Sequence, residues 1–172
     1  QWLKDQNYIL KRFEAMKENP NFSIRVTHHD TKISNVLLNE EDKGICVIDL
    51  DTVMPGYFIS DVGDMMRTCL SPVSEEEKDF SKIQIREAYY VAIVRGYMDG
   101  MEKELSNDER NAFFDAGTYL VYMQAIRFLA DHLNDDAYYG AKYEGHNYIR
   151  GTNQIVLLKR LLEQETRLRS LF

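Results

Sequence analysis

Residues 23–56 interrupt a chain that is otherwise helical in pattern, and this interruption constrains the fold more than any other feature of the sequence. On both sides of it, apolar residues recur at three- and four-residue spacing. Within it, Val36-Leu37-Leu38 and Ile45-Cys46-Val47-Ile48 are short apolar runs separated by the polar stretch Asn39-Glu40-Glu41-Asp42-Lys43-Gly44. That arrangement predicts a β-hairpin, with Gly44 able to supply a positive φ. A further strand is expected over 23–27. Leu50 to Gly56 reads as a loop turned by Pro55-Gly56.

The flanking helices can be placed from their periodicity and their stops. Residues 1–18 predict an amphipathic helix, with Trp2, Ile9, Leu10, Phe13 and Met16 on one face. Asn19-Pro20 ends it, because the residue before a proline disfavours the helical conformation. Further helices are expected at about 60–70 and about 85–103. Ser106-Asn107-Asp108-Glu109 has the form of a capping box and opens one long helix to about Leu133. Ser74 to Glu77 has the same spacing without a clear helix behind it. A last helix covers about Thr152 to Ser170. No repeat, low-complexity tract or second domain boundary is visible, so residues 1–172 are expected to form a single domain. The fold class is α+β and mostly α-helical, with a small β insert.

Composition narrows the partners. The 172 residues are 44% apolar and 28% charged, which is globular and long enough for a real core. The net charge of −7 argues against a nucleic-acid partner. The longest apolar stretch, 119–133, carries Gln124, Arg127 and Asp131, so no membrane span is expected. Gln1-Trp2-Leu3-Lys4-Asp5 is not a signal peptide. Cys46 and Cys69 have no C-x-x-C spacing and are expected as free, mostly buried thiols in a reducing, cytoplasmic compartment.

Chemistry gathers in the polar loop. Asp30 is followed five residues later by Asn35, and Asp49 ends the apolar run Ile45–Ile48. Asp and Asn in a loop are ordinarily turn formers. A second carboxylate at a strand end, across a hairpin, makes them a set. Phosphoryl transfer to an alcohol needs a carboxylate to orient the hydroxyl and oxygen ligands to hold magnesium on the nucleotide phosphates. Here Asp30 would be the base, with Asn35 and Asp49 as metal ligands, since such oxygens suit hard Mg²⁺. Asp51 is a further ligand or substrate contact. His28 and His29 point only weakly to a metal. Arg127 lies on an apolar helix face with Asp131 at i+4, where an ion pair competes with a substrate role.

His28-x-Asp30-x-x-x-x-Asn35, followed by Ile48-Asp49-Leu50-Asp51, resembles the aminoglycoside phosphotransferase and choline kinase superfamily. Protein kinases carry Arg between the His and the Asp and a D-F-G metal motif; this chain has His29 and Asp49-Leu50-Asp51. The resemblance is closest to the N-acetylhexosamine 1-kinases, through Val47 to Gly56, Asp61-Val62-Gly63-Asp64, Arg127 to Asn134 and His146-Asn147. It covers about Ser23 to Gln164.

The resemblance implies a protein-kinase-like C-terminal lobe whose β-hairpin insert carries the catalytic loop. It implies Mg²⁺ and ATP as cofactor and co-substrate, and a sugar acceptor, an N-acetylhexosamine at the anomeric hydroxyl. Asp30 would be the catalytic base, with Asn35 and Asp49 binding Mg-ATP. Asp61 would brace the catalytic loop. One of His28 and His29 would pack beneath the loop and the other face solvent. Arg127 and Tyr138, and more weakly Asp51, are the candidates for holding the sugar. Family members carry an N-terminal nucleotide-binding lobe that these residues lack, and no G-x-x-x-x-G-K replaces it. The missing lobe is expected on the same polypeptide, and the fragment alone is expected to be inactive. Other small alcohols (aminoglycoside, choline, homoserine) and a non-catalytic binding module are the alternatives.

Overall fold

The computed structural model describes all residues, Gln1–Phe172. Eight helices and four short strands follow in the order α1 (Trp2–Asp5), α2 (Tyr8–Glu18), β1 (Arg25–Thr27), β2 (Val36–Leu38), β3 (Gly44–Val47), β4 (Met54–Gly56), α3 (Phe58–Cys69), α4 (Glu87–Met101), α5 (Asn107–Asn111), α6 (Phe113–Leu133), α7 (His146–Glu163) and α8 (Glu165–Arg169). The molecule is mostly helical with two small antiparallel sheets, an α+β fold. No helix is long and apolar enough to cross a membrane.

The helical body is built on α3, α6 and α7. Phe58, Ile59, Val62 and Met66 form the buried stripe of α3, at the spacing that keeps side chains on one helical face. They pack against Phe113, Phe114 and Ala116 of α6, with Leu161 and Leu168 closing the cluster. A second cluster joins Ile9 of α2, Ile83, Val121 and Tyr122 of α6, and Leu157 and Leu158 of α7. These clusters hold the first turn of α3 and the middle of α7 still, and both elements carry polar side chains discussed below.

Two ladders frame the polar loop. In the hairpin, β2 pairs with β3 through Val36↔Val47, Leu37↔Cys46 and Leu38↔Gly44, with an irregularity at Leu37–Leu38. The left-handed residue of its turn is Asp42 at φ 60°, not Gly44. The stretch expected as a loop around Pro55-Gly56 is instead β4, paired with β1 through Arg25↔Gly56, Val26↔Pro55 and Thr27↔Met54. Proline fits there because a two-stranded ladder is all edge, and an edge position need not donate.

Three helical expectations also change. The first helix is interrupted at Gln6–Asn7. The expected long helix from Asn107 breaks at Ala112 into α5 and α6, although the Ser106–Glu109 capping box is formed as read. The last long helix begins at His146, six residues early, so Asn147 and Arg150 are helical. Cys46 and Cys69 are both free, but Cys46 is exposed on β3 rather than buried.

Most of the exposed large apolar side chains lie on the β side. Ile24, Val26, Ile33, Ile45, Val47, Leu50 and Met54 are each more than half exposed, and Val26 reaches 78%. Apolar surface gathered in this way marks a binding face.

Candidate functional site

The polar loop between β1 and β2 is held from below by α3. Both carboxylate oxygens of Asp61, in the first turns of α3, accept backbone N–H groups of the loop: Oδ2 from His28 at 3.0 Å and Oδ1 from His29 at 2.8 Å. Thr31 Oγ1 donates to the Asp61 carbonyl at 2.7 Å, and Thr52 Oγ1 to the His28 carbonyl at 2.6 Å. Asp61 and Asp64 lie inside α3 and do not cap it.

Both histidines are fully engaged, so neither ring simply faces solvent. The backbone N–H of Asp30 donates to His28 Nδ1 at 3.3 Å, which leaves Nε2 to donate to the Ile48 carbonyl at 3.0 Å. His28 thereby ties the loop to the end of the hairpin. His29, at φ 68°, lies between Ser60 and Thr27. Thr27 Oγ1 donates to the Met54 carbonyl at 3.0 Å and so accepts from His29 Nε2 at 2.7 Å. In the neutral ring, Nδ1 then accepts from Ser60 Oγ at 2.6 Å. With no nitrogen left over on either ring, a zinc site is not built here.

Asp30 stands above this support. Asn35 is 4% exposed, and its Nδ2 donates to Asp30 Oδ2 at 2.9 Å and to the Asp30 carbonyl at 2.8 Å. Lys32 Nζ lies 2.6 Å from Asp30 Oδ2 and 3.9 Å from Asp49 Oδ2. Burial pushes the Asp30 carboxyl up, but the hydrogen bonds from Lys32 and Asn35 outweigh it and hold the group below its ordinary value. The same bond to Asp30 raises Lys32, against burial. Asp49 is exposed and left-handed at φ 63°, a conformation that Asp tolerates better than most residues. The Asn35 carbonyl accepts from the Ile48 N–H at 2.9 Å, which ties the two ends of the hairpin together next to Asp49.

Asp30, Asn35 and Asp49 therefore share one rim, and Lys32 bridges the two carboxylates. Asp51 is exposed two residues beyond Asp49. Arg127 and Tyr138 are together but elsewhere. The Arg127 guanidinium lies 5.8 Å from the Tyr138 ring centre and 5.4 Å from that of Tyr139, with Gln124 Oε1 at 3.5 Å. The Arg127–Asp131 ion pair, the alternative to a substrate role, is absent. Asp131 is buried and accepts instead from the Tyr138 and Tyr139 N–H groups and from Asn147 Nδ2. Tyr138 is 76% exposed, while Tyr139 packs edge-on against Phe128.

An ion-pair chain that sequence reading missed spans the two groups. Arg67 of α3 holds Asp64 Oδ1 at 2.8 Å and Glu75 Oε2 at 2.6 Å. Glu75 Oε1 takes Arg150 of α7 at 2.5 Å, and the Arg150 guanidinium stacks 3.8 Å from the Phe128 ring centre. Burial raises the Asp64 carboxyl despite Arg67.

A family model for the phosphotransferase enzyme family (APH) matches residues 1–103, more than half of the chain and all of the Asp30–Asn35–Asp49 rim. The chain belongs to the phosphotransferase enzyme family. Membership makes the chain a kinase-like phosphotransferase, and the segment that the family model covers holds a carboxylate fixed beside a lysine and an amide. In this phosphotransferase the loop is fixed by backbone-to-carboxylate hydrogen bonds rather than by apolar packing.

Proposed function

We propose that this chain is the C-terminal, kinase-like lobe of a cytoplasmic sugar kinase, with residues 1–172 acting as one domain. It would transfer the γ-phosphoryl group of Mg-ATP to a sugar hydroxyl, that of an N-acetylhexosamine at the anomeric position. The observation that carries the reading is the position of the Asp30 carboxylate, fixed at hydrogen-bond distance from both Asn35 and Lys32.

The donor set suits magnesium. Asn35 uses its Nδ2 on Asp30, and no protein donor reaches its Oδ1. Asp49 presents an exposed carboxylate beside it. Two protein oxygens fit an ion that keeps several waters and takes the remaining ligands from nucleotide phosphates. Asn35 and Asp49 would hold it, and it would neutralise charge on the phosphates during transfer.

Asp30 would accept a hydrogen bond from the attacking hydroxyl and aim its oxygen at the γ-phosphorus. The new O–P bond forms as the bond to the ADP oxygen breaks, and the hydroxyl proton leaves through Asp30. Because the Asp30 carboxyl is held low, it orients the hydroxyl early and takes the proton late, as a loose transition state allows. Lys32 adds positive charge 2.6 Å from that carboxylate, where the transferring group would pass. Arg127, Tyr138 and Asp51 are proposed as outer contacts of the sugar.

The apolar β face supports a covering lobe. Val26, Ile45, Leu50 and Met54 lie around the rim and are more than half exposed, which suits a nucleotide-binding lobe carried on the same polypeptide. Without it, transfer by the isolated chain is expected to be absent.

The test is ATP consumption by the polypeptide carrying both lobes, over a panel of N-acetylglucosamine, N-acetylgalactosamine, galactose, choline and kanamycin, with the product located by phosphorus NMR. An anomeric phosphate of an N-acetylhexosamine is the expected product. Turnover with choline or kanamycin alone would put the acceptor in another class. No turnover with any of the five would leave the chain a binding module.

A further inference from the structure

Lys32 separates two cavities. One, of about 280 Å³, holds Asp30 and Asn35 against apolar walls that include Val36, Val47, Met65 and Ile93. The other, of about 320 Å³, lies between the polar loop, the end of α3 and the middle of α7. Its walls are almost all polar, and only Val73 and Leu157 are apolar. The second is at the small end of the range for small-molecule sites, about 300–1,000 Å³, and the first falls just below it.

The polar cavity contains an unmet hydrogen bond. Gln154 is 1% exposed and lines it. Its Nε2 donates to Asn153 Oδ1 at 3.3 Å, but its Oε1 is buried with no donor. An unpaired buried acceptor costs about 1–3 kcal/mol, so such groups are normally supplied with a partner. Asn153 cannot supply it, since its Nδ2 donates to the Ser74 and Glu77 carbonyls. Gln154 is therefore a residue of the cavity wall with an unmet acceptor, sealed from water in the free protein, which a hydroxyl or amide N–H from outside would satisfy once the side chain turns toward the cavity.

The charges in the wall are already matched. Arg67 is held by Asp64 and Glu75, and the lone carboxylate, Glu75, is shared between Arg67 and Arg150. Lys32 adds a positive charge at the mouth. No carboxylate is left for a cationic ligand, so an amine would meet two cations and no free anion. Hydroxyl groups, which both donate and accept, suit the remaining wall of serine hydroxyls and the Gln154 amide.

We propose that this cavity seats the acceptor, that the acceptor is a neutral polyhydroxylated molecule of hexose size, and that Gln154 is a specificity-determining residue that accepts from one of its hydroxyls. Lys32 borders both cavities and its Nζ lies 2.6 Å from Asp30, so an acceptor seated here adjoins the cavity that holds Asp30. Asn147, Arg150, Asn153 and Gln154 follow one another along α7, whose rise of about 1.5 Å per residue places Gln154 about 10 Å from Asn147, which shares Asp131 with the Tyr138 N–H. Arg127 and Tyr138 would then meet only the far side of the acceptor. The proposal rests on the phosphotransfer reading for its link to Asp30 but not for the binding itself.

Binding without nucleotide separates the two. N-acetylglucosamine is titrated by calorimetry into the two-lobed polypeptide and its Gln154→Met and Gln154→Glu variants, with monodeoxy sugars run alongside. Gln154→Met should weaken binding at least tenfold and raise the sugar KM to match, with the ATP KM unchanged. Gln154→Glu, which keeps an acceptor oxygen, should recover part of the loss. One deoxy sugar should bind poorly to the wild type, yet lose nothing further in Gln154→Met, because a site built to bond a hydroxyl discriminates strongly against its absence. Slower amide exchange in segment 71–75 on adding sugar checks the wild type, should the variants fail to fold. Sugar binding and KM within twofold of wild type in Gln154→Met would overturn the assignment and leave the cavity to structural water. Gln154-dependent binding without phosphorylation of any hexose would keep the seat and remove the kinase reading.

Discussion

Lys32 Nζ sits 2.6 Å from Asp30 Oδ2, two residues along the same loop, and also faces Asp49 at 3.9 Å. The carboxylate proposed to orient a hydroxyl is therefore already ion-paired, and in that reading an incoming acceptor shares it with the lysine. Asn35 Nδ2 donates to the same oxygen at 2.9 Å. The geometry orients the Asp30 carboxylate and holds its carboxyl below the ordinary value, which suits the weak, orienting base proposed above.

Asp30→Asn keeps an acceptor oxygen for Lys32 and removes the charge and the basicity. In the polypeptide proposed to carry both lobes, kcat should fall by about 10²–10⁴-fold with the ATP KM little changed. Circular dichroism should be unaltered, because Asp30 is partly exposed and lies outside both apolar clusters. Activity near wild type would remove Asp30 from the mechanism.

Lys32→Met should move the acid limb of the kcat/KM profile upward. Burial pushes the Asp30 carboxyl up, while Lys32 and Asn35 pull it below its ordinary value. Losing the lysine leaves only Asn35 and the weaker pull of Arg67 against burial, so the carboxyl protonates at higher pH and activity is lost sooner on acidification. A pH–rate profile with an unmoved acid limb would mean that some other group controls it.

The rim was legible in the sequence, and its surroundings were not. Asp30, Asn35 and Asp49 lie within one loop–hairpin unit, so their spacing alone brings them together. The Arg67–Glu75–Arg150 chain joins residues up to 83 positions apart, and no local pattern encodes that. Gln154 carries no signal either: its importance comes from being buried beside an Asn153 already bonded elsewhere. Some misses did have a signal. Gly145, at φ 77°, is a natural helix boundary just before His146 and marks the true start of α7. Pro55-Gly56 was read as a turn because that dipeptide usually is one, and only the pairing with Arg25 and Val26 makes it a strand. The break at Ala112 has neither Gly nor Pro, and the capping box upstream gives no hint of it.

Gly56→Ala should disturb the loop support without touching the rim. A Cβ there would stand 2.5 Å from Thr27 Oγ1 and 2.6 Å from His29 Cε1, the two groups that pass hydrogen bonds from Ser60 to Met54. Overpacking of this kind costs about 1–3 kcal/mol. Thermal unfolding should show the loss, and the His29 ring signals should shift in NMR. An unchanged melting temperature would mean that the ring moves aside freely.

Asp61→Ala should cost more than its exposure suggests. It orphans the N–H groups of His28 and His29, in a loop that includes a left-handed residue. With water repairing part of the loss, about 2 kcal/mol is expected, and Asp61→Asn should lose less because one acceptor oxygen remains. Urea midpoints rank the three proteins. Equal midpoints for the two variants would show that the hydrogen bonds are not the source of the effect.

Arg25→Met tests the tie between β1 and α5, remote from the rim. The Arg25 guanidinium holds both oxygens of Glu109, at 2.6 and 3.0 Å, and the Glu109 side chain is fully buried. The N–H groups of Ser23 and Ser106 complete its shell. Breaking a buried pair from one side leaves an uncompensated charge and costs about 3–5 kcal/mol. The pH dependence carries the sign. Burial pushes the Glu109 carboxyl up, but the bonds from Arg25, Ser23 and Ser106 outweigh it and hold it below the ordinary value. Its stabilisation is therefore complete above the unfolded-state value of about 4.3 and is lost as pH falls through the lower folded-state value. Without Arg25 the largest part of that downward pull is gone and only the Ser23 and Ser106 N–H bonds remain, so the variant should lose stability at a higher pH than the wild type, as well as starting from a lower stability. Urea midpoints measured from neutral to acid pH decide it: parallel curves for the two proteins would mean that Arg25 does not set the charge state of Glu109.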